Sequence, residues 1–400
     1  MSTNSDFRRV YLDHSATTPV DKRVLNEMLP YFSDKFGNAN SIHGFGAEAA
    51  LAVDTARRKT AELIGAKHTE IYFTSGGTEA DNWAIKGAAF AKKSVGKHII
   101  TSSIEHPAVI ASCKQLEAQG FEVTYLPVNE KGLVSTTELK KALRPDTVLV
   151  SVMLANNEVG TVQPVKELCE IAHKAGALFH TDAVQAMGSV PVSVKDLGVD
   201  MLTFSAHKFY GPKGVGALYI RGGVKPDKFV VGGHQERTMR GGTTNVPCVV
   251  GMAKALELAT ESLAENAAHI KKLRDYFVSE VEKKIPHVIY NGDREKRLPQ
   301  NANFSFEFIE GESLLLNLDL CGIACSSGSA CSSGSLEPSH VLLAMGLKHE
   351  TAHGSIRFTF GKDNTKQDAD YAVEKLIEIV SKLRAISPLF AEFKEGIINV

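Results

Sequence analysis

The chain has 400 residues, of which 43% are hydrophobic and 23% charged, and this ordinary globular composition predicts two domains or one large α/β domain with an appended region. Its formal net charge at pH 7 is -1, which gives no electrostatic reason to expect nucleic acid or an anionic membrane as a partner. The polar N-terminus lacks the apolar run of a signal peptide, and no stretch approaches the roughly 18 apolar residues of a membrane span, so we expect a cytoplasmic protein.

The region from about residue 60 to residue 225 alternates short apolar runs with helical patterns. The runs are of strand length and rich in β-branched or aromatic residues: EIYFTS, KHIITSS, EVTYLPV, DTVLVSVM, ALFHTDA, DMLTFSA and GALYIR. Such alternation is typical of an α/β fold with a largely parallel sheet covered on both faces. Ligands of these sheets bind beyond the carboxyl ends of the strands, so we expect functional residues there.

The chain after residue 247 has a different pattern. Residues 247–285 form one long helical pattern, in which a bend is allowed. Three strand-like runs and a closing helix follow: HVIYNG, NANFSFEFI, GSIRFTF and DADYAVEKLIEIVSKLRAI. Strands beside helices in this order predict a smaller α+β domain.

A glycine-rich turn, FTSGGTEADN, follows the first of the predicted strands. Gly76 and Gly77 allow a ligand to approach the backbone closely, and Thr78 is predicted to cap a helix that begins at Glu79 or Ala80. A turn of this kind offers free N–H groups and the positive end of a helix dipole to a phosphate, although any strand–helix loop can have this composition.

Asp182 and Lys208 follow two later strands, in FHTDAVQ and TFSAHKFYGPKGVGALYI. A carboxylate at a buried strand end needs a cationic partner, although Asp182 taken alone is better interpreted as a helix N-cap. Burial lowers the pKa of a lysine, and the neutral amine can form a Schiff base with a carbonyl. The alternative for Lys208 is a surface lysine whose stem packs on apolar neighbours.

These strand ends together indicate pyridoxal 5′-phosphate as the cofactor. Its aldehyde would react with Lys208, and its protonated ring nitrogen would pair with Asp182. A charge-assisted hydrogen bond of this kind is worth roughly 1.5–3 kcal/mol and keeps the ring an electron acceptor. The remaining polar groups near these strand ends would hold the phosphate: Gly77, Thr78, Ser205 and His207.

The segment CSSGSACSSGSLEPSH, residues 325–340, places Cys325 and Cys331 among serines and glycines. Three interpretations of this segment are open. The cysteines could form a disulfide or bind a metal, the segment could be a solvated loop without function, or it could be a mobile loop that carries a nucleophilic cysteine. The six cysteines include no CxxC motif, and the C-x3-C-x5-C spacing that begins at Cys321 fits neither the common zinc spacings nor the ferredoxin runs. We therefore expect neither a disulfide framework nor a resident metal.

Ten motifs, in order, extend over nearly the whole chain: YLDHSATTPVD, SIHGFG, TSGGTEADN, IEHPAV, NNEVGT, DAVQ, SAHKFYGPKGVGALY, GGHQERTMRGGT, SSGSACSSGSLEPSHVL and SIRFTFG. In these motifs the sequence resembles the cysteine desulfurases of the class V aminotransferase group, which have pyridoxal-phosphate fold type I. The resemblance is to the branch with a long active-site loop, in which the reactive thiol lies in SGSAC.

The resemblance implies the domain organisation. Residues 16–260 would form a large cofactor-binding domain with a mostly parallel seven-stranded sheet, and residues 261–400 a smaller α+β domain. Residues 1–15 would be an arm that packs with the small domain, and about residues 325–337 a mobile cysteine loop.

The resemblance also implies a role for each matching residue. Lys208 would bind the cofactor covalently, His106 would stack on its ring and assist proton transfer, and Cys331 would be the nucleophile. Asp182 would pair with the ring nitrogen, and Gln185 would donate to the phenolic oxygen. The other predicted contacts are Gly77, Thr78, Ser205 and His207 to the phosphate, Thr243 of the second subunit to the same phosphate, Asn157 to the cofactor, and Asn157 and Arg357 to the substrate carboxylate.

The implied activity converts L-cysteine to L-alanine in a homodimer and leaves a persulfide on Cys331 for an iron–sulfur scaffold or another acceptor protein. About six or seven residues on each side would give Cys331 a reach of roughly 20 Å. Cys331 would also be able to ligate a cluster transiently, and we expect Cys325 to be inert rather than its disulfide partner. The tail SPLFAEFKEGIINV either docks the scaffold or packs on the small domain.

Two alternative functions stay open from the sequence. A selenocysteine lyase or another class V transaminase would use the same cofactor without relaying sulfur. A non-enzymatic iron–sulfur carrier would use the clustered thiols as ligands.

Overall fold

The computed structural model describes residues 8–327 and 338–397. Within these ranges the strands are β1 (Val10–Tyr11), β2 (Ile71–Thr74), β3 (His98–Ser102), β4 (Glu122–Leu126), β5 (Thr147–Ser151), β6 (Leu178–Asp182), β7 (Met201–Ser205), β8 (Gly216–Ile220), β9 (Val288–Tyr290), β10 (Asn301–Phe306), β11 (Ile323–Ala324) and β12 (Ser355–Thr359).

The α-helices of the same ranges are α1 (Lys22–Met28), α2 (Pro30–Ser33), α3 (Gly44–Ile64), α4 (Gly77–Lys92), α5 (Pro107–Glu117), α6 (Thr136–Ala142), α7 (Val165–Lys174), α8 (Val194–Leu197), α9 (Val246–Glu261), α10 (Leu263–Lys284), α11 (Gly311–Leu320), α12 (His340–Ala344), α13 (His349–His353), α14 (Lys366–Ala385) and α15 (Pro388–Lys394). No helix in the described part of the chain is long and apolar enough to cross a membrane.

The largest sheet confirms the predicted α/β fold. Its seven strands have the order β2-β8-β7-β6-β5-β3-β4, and every apolar run predicted as a strand between residues 70 and 221 is one. Strands β7, β6, β5, β3 and β4 are parallel, whereas β8 runs antiparallel to both of its neighbours. The sheet is therefore mostly parallel.

Successive residues of the central strands pack on opposite faces of this sheet, as the two-residue period of a strand requires. Ile100 and Phe179 belong to the apolar cluster on the face that α3, α7 and α9 cover. Ile99 and Leu178 pack with the cluster under α4 and α5. Burial on both faces explains why these strands read as continuous apolar runs.

A second, antiparallel sheet has the order β12-β10-β9. The ring centroid of Phe277 in α10 lies 6.2 Å from that of Phe304 and 5.1 Å from that of Phe358 in this core. The start of the chain joins this part of the molecule, because β1 pairs in parallel with β11 and Leu12 is fully buried in the same cluster. The exact residue boundaries of the two domains stay a prediction.

The long helical pattern of residues 247–285 is two helices rather than one. Ser262 separates α9 from α10, and its backbone leaves the helical region at φ -101° and ψ 10°. Its hydroxyl donates to the Leu258 carbonyl over 2.7 Å and accepts from the Asn266 side chain over 2.8 Å. Serine hydrogen bonds of this kind compete with the helical backbone, which explains a break where no proline or glycine stands.

Candidate active site

A cleft of about 320 Å³ lies at the carboxyl ends of the parallel strands. Ten of the residues predicted for the site line it: Gly77, Thr78, His106, Asn157, Asp182, Gln185, Ser205, His207, Lys208 and Arg357. Six lining residues were not predicted: Ser15, Ala16, Asp81, Met153, Ala155 and Val184. The fold thus brings together residues that are far apart in the sequence.

The N-terminus of α4 forms one wall of the cleft. The N-cap residue is Gly76 and the helix begins at Gly77, so the prediction that Thr78 caps a later helix start was wrong. The first turn of this helix packs closely on Val184: a Cβ at position 77 would lie 2.8 Å from Cγ2 of that valine, so glycine fits there best. The first N–H groups of a helix have no intrahelical partner, so Gly77 and Thr78 present donors to the cleft.

Lys208 lies in a short 3-10 turn, Ala206–Lys208, directly after β7. Its Nζ donates to the backbone carbonyl of Ser15 over 2.6 Å and to that of Ala16 over 2.8 Å. The amine is therefore held in the cleft by the arm that precedes the large sheet, rather than extended along the surface. Sequence reasoning missed both carbonyls, although they lie in the quoted motif YLDHSATTPVD.

The two histidines of the cleft are held in their neutral form. His106 is the N-cap of α5, and its Nδ1 accepts the N–H of Ala108 over 3.1 Å. Burial, followed by the charge of Lys208, lowers the pKa of His106 to about 4. The same two causes lower the pKa of His207 to about 4, and its Nδ1 lies 3.1 Å from the hydroxyl of Thr17.

Asp182 is the last residue of β6, and its Oδ1 accepts the N–H of Val184 over 2.8 Å. A turn follows it, so the helix N-cap interpretation does not hold. Burial raises the pKa of Asp182 to about 6, while the Val184 hydrogen bond and the charge of Lys208 act in the opposite direction. Gln185 donates from Nε2 to the Ser15 carbonyl over 2.9 Å.

Arg357, in β12, connects the small sheet to the cleft. It donates from Nη1 to the backbone carbonyl of Asn157 and from Nη2 to the carboxylate of Asp13, each over 2.9 Å. Its Nε has no hydrogen-bond partner among the described residues. The guanidinium is thus oriented by two contacts, and its buried Nε–H stays available to a ligand.

Two predicted residues are not placed in this cleft. Thr243 is exposed on the segment between β8 and α9 and does not line it. Cys331 lies outside the described residues. Cys325 follows β11, where the neighbouring Ser326 exchanges backbone hydrogen bonds with Arg357, and burial raises the pKa of the Cys325 thiol. That thiol is therefore protonated at neutral pH.

Comparison with known proteins identifies the family. A sequence profile described as "Aminotransferase class-V" matches residues 10–372. The chain belongs to the class V aminotransferase family.

This chain is similar to two proteins named cysteine desulfurase IscS. That of Dictyoglomus turgidum is 56% identical over 387 residues, which cover 97% of this chain and 98% of the relative. That of Methanosarcina thermophila is 55% identical over 388 residues, 97% of this chain and 96% of the relative. A solved structure titled "NifS-like protein" has a TM-score of 0.89 and 44% identity, and the match covers 94% of this chain and all of that one. The fold is therefore the fold type I of pyridoxal-phosphate enzymes.

Enzymes of this family use pyridoxal 5′-phosphate, and the cleft fits it. It contains an amine for the aldehyde, Lys208, and a buried carboxylate for the ring nitrogen, Asp182. For the phosphate it offers the start of a 16-residue helix at Gly77, together with the hydroxyl of Ser205. These groups line one cleft, and their charges are complementary to those of the corresponding cofactor groups.

Proposed function

We propose that this protein is a cysteine desulfurase that uses pyridoxal 5′-phosphate. One observation carries the proposal: Lys208, Asp182 and Arg357 line one cleft of a chain that is 56% identical to a protein named cysteine desulfurase IscS. The substrate is L-cysteine. The reaction moves its sulfur to a protein thiol, so that L-cysteine and the thiol give L-alanine and a persulfide.

The residues of the cleft divide the chemistry among them. When bound, the cofactor draws electrons away from the α-carbon of an amino acid. Asp182 would hold the protonated ring nitrogen, and Lys208 would hold the aldehyde and carry the α-proton. Arg357 would bind the substrate carboxylate, and the neutral ring of His106 would lie beside the cofactor and assist proton transfer.

Cys331 is the proposed nucleophile. Its thiolate attacks the substrate sulfur, one sulfur–sulfur bond forms and one carbon–sulfur bond breaks, and the substrate carbon takes up a proton to leave as alanine. A thiol has an ordinary pKa of about 8.5, so a neighbouring base has to favour the thiolate. This role rests on the resemblance in SGSAC, since Cys331 lies outside the described residues.

The remaining parts of the proposal concern partners and location. We place Thr243 in the phosphate site of a second subunit, which agrees with its exposure and its position outside the cleft of its own chain. The protein is then a homodimer in the cytoplasm. Its persulfide passes to an iron–sulfur scaffold or another acceptor protein.

One experiment tests the activity. The purified protein receives L-cysteine, alanine is quantified, and peptide mass mapping locates the added sulfur. We expect alanine and a persulfide on Cys331, loss of both in Cys331→Ala, and retention of both in the matched control Cys325→Ala. A Cys331→Ala variant with unchanged turnover would favour a selenocysteine lyase or transaminase instead. Iron and acid-labile sulfide without cofactor absorbance would favour an iron–sulfur carrier.

A further inference from the structure

Asp81 is a buried carboxyl group of the cleft that the proposed chemistry does not use. It lies on α4, one turn after Gly77 and on the same side of the helix, and it lines the cleft. The residue is 1% exposed, and its Oδ1 has no hydrogen-bond partner among the described residues. A buried carboxyl oxygen without a partner costs much more free energy when the group is charged than when it is a neutral acid.

A hydrogen-bonded chain of side chains crosses three strands of the sheet next to this group. Ser151 of β5 contacts Nδ1 of His180 in β6 over 2.9 Å, and Nε2 of His180 contacts the Thr203 hydroxyl of β7 over 3.0 Å. The hydroxyl of Thr203 acts to lower the pKa of Asp81, against the effect of burial. Nε2 of His180 is 3.6 Å from Oδ1 of Asp81, which is too long for a hydrogen bond.

No cation is available to Asp81 from this chain of contacts. Burial lowers the pKa of His180 to about 3, so the imidazole is neutral. The positive charge of Lys208 acts on Asp182, which also accepts the Val184 N–H. Two neighbouring buried carboxyl groups cannot both be ionised at low cost, because the negative charge of each disfavours ionisation of the other.

The unequal surroundings decide which of the two carboxyl groups keeps the proton. Burial, followed by the charges of Asp182 and Glu105, raises the pKa of Asp81 well above its usual value, whereas the Thr203 hydroxyl acts to lower it. The pKa of Asp182 rises only to about 6. Glu105, the third carboxyl group nearby, is itself buried, and its pKa is raised to about 8; His106 on this side of the cleft is neutral.

We propose that Asp81 is a positioning residue: it stays a neutral carboxylic acid and thereby confines the negative charge of the pair to Asp182. The charge then faces the cleft where a protonated ring nitrogen would bind. The identity of that ring rests on the proposed function, whereas the protonation of Asp81 does not. Asp81 acts only through Asp182.

Difference infrared spectroscopy on the full-length protein with its cofactor tests the protonation directly. The Asp81→Asn variant keeps the size and neutrality of the proposed acid. Near neutral pH we expect its difference from wild type to show the loss of one carboxylic-acid carbonyl band. Loss of carboxylate bands alone would overturn the proposal. If the variant does not fold, a pH titration of wild-type protein labelled with isotopic aspartate decides the same question.

Cofactor affinity supplies the second readout. Because Asp81→Asn mimics the neutral acid, we expect the dissociation constant of pyridoxal 5′-phosphate to change by less than about threefold. Asp182→Asn loses a charge-assisted hydrogen bond and should weaken binding roughly 10- to 150-fold. Equal weakening by the two variants would overturn the proposal. A wild-type protein that binds no pyridoxal 5′-phosphate would contradict the proposed function instead, and the infrared result would still decide the state of Asp81.

Discussion

Arg357 and Asp13, 344 residues apart in the sequence, form a direct ion pair of 2.9 Å at the edge of the cleft. The arginine side chain is 4% exposed and the aspartate 18%, so the pair is largely shielded from water. A second donor of the guanidinium goes to the Asn157 carbonyl. Asp13 therefore orients the group that we assign to the substrate carboxylate.

Replacement of Arg357 by lysine tests this orientation. Lysine keeps the charge but lacks the planar fork that matches a carboxylate, so kcat/KM for L-cysteine should fall roughly 10- to 100-fold, mainly through KM. Steady-state kinetics measure the effect. The Asp13→Asn substitution should also raise KM, but by a smaller factor than Arg357→Lys. An unchanged KM in Arg357→Lys would show that another group binds the carboxylate.

His106 allows its two roles to be separated by a pair of variants. Asparagine is a good N-cap, so His106→Asn should retain the hydrogen bond to the Ala108 N–H and the stability of α5, whereas His106→Ala should cost about 1 kcal/mol. Both variants lose the ring, and kcat should fall by a factor of about 10² to 10⁴. Urea unfolding and alanine production measure the two effects. Full activity in His106→Asn would limit this residue to helix capping.

Glu105 should make the stability of the fold depend on pH. Its Oε1 accepts from the Ser102 hydroxyl over 2.6 Å and from the Met153 N–H over 2.9 Å, and burial raises its pKa to about 8. A raised carboxyl pKa means that the folded protein keeps a proton which the unfolded chain has lost. Its contribution to stability is therefore complete below the unfolded pKa and is lost as the pH rises towards about 8.

The Glu105→Gln variant removes this titration and keeps an acceptor for Met153. We expect the free energy of unfolding of wild type, relative to the variant, to fall by up to about 1.4 kcal/mol per pH unit between the two pKa values. Urea unfolding over that range gives the slope. A difference that does not vary with pH would mean that Glu105 is ionised in the folded protein.

The strand ends show how far sequence reasoning reaches. Asp182, Ser205 and Lys208 were predicted beside one another because β-branched runs locate the strands and parallel strands end at one edge. Residues from the beginning of the chain were missed, since Ser15 meets Lys208 across 193 residues and no local pattern marks that contact. Asp81 was missed for a related reason: no local pattern marks it, and the packing of α4 on β7 brings it to the cleft.

Two details of the helices were not predicted from the pattern. At the start of α4, Gly77 packs closely against Val184, which lies on another strand–turn unit. The break at Ser262 depends on side-chain hydrogen bonds within the helix pattern, and serine is too common in helices to predict one. Both features arise from contacts rather than from periodicity.

A subunit-complementation experiment tests the proposed placement of Thr243. Lys208→Ala removes the amine of a site, and Thr243→Ala weakens the phosphate site of the other subunit. In a random mixture, half of the dimers are mixed, and each mixed dimer has one site with both residues. A quarter of all sites in the mixture are then intact. We therefore expect the mixture to produce alanine faster than the separate variants do, by about a quarter of the wild-type rate. If alanine production does not increase after the variants are mixed and re-assembled, each site is formed by a single chain.

The anchoring of the cofactor by Lys208 is tested most directly by chemical reduction. Borohydride treatment of the purified protein converts a covalently bound pyridoxal phosphate into a stable adduct, which peptide mass mapping can locate. We predict one adduct, on Lys208, that is absent from Lys208→Ala and retained when the exposed Lys213 is replaced by alanine. A protein without an adduct, or with the adduct on another lysine, would contradict the assignment of this cleft as the active site.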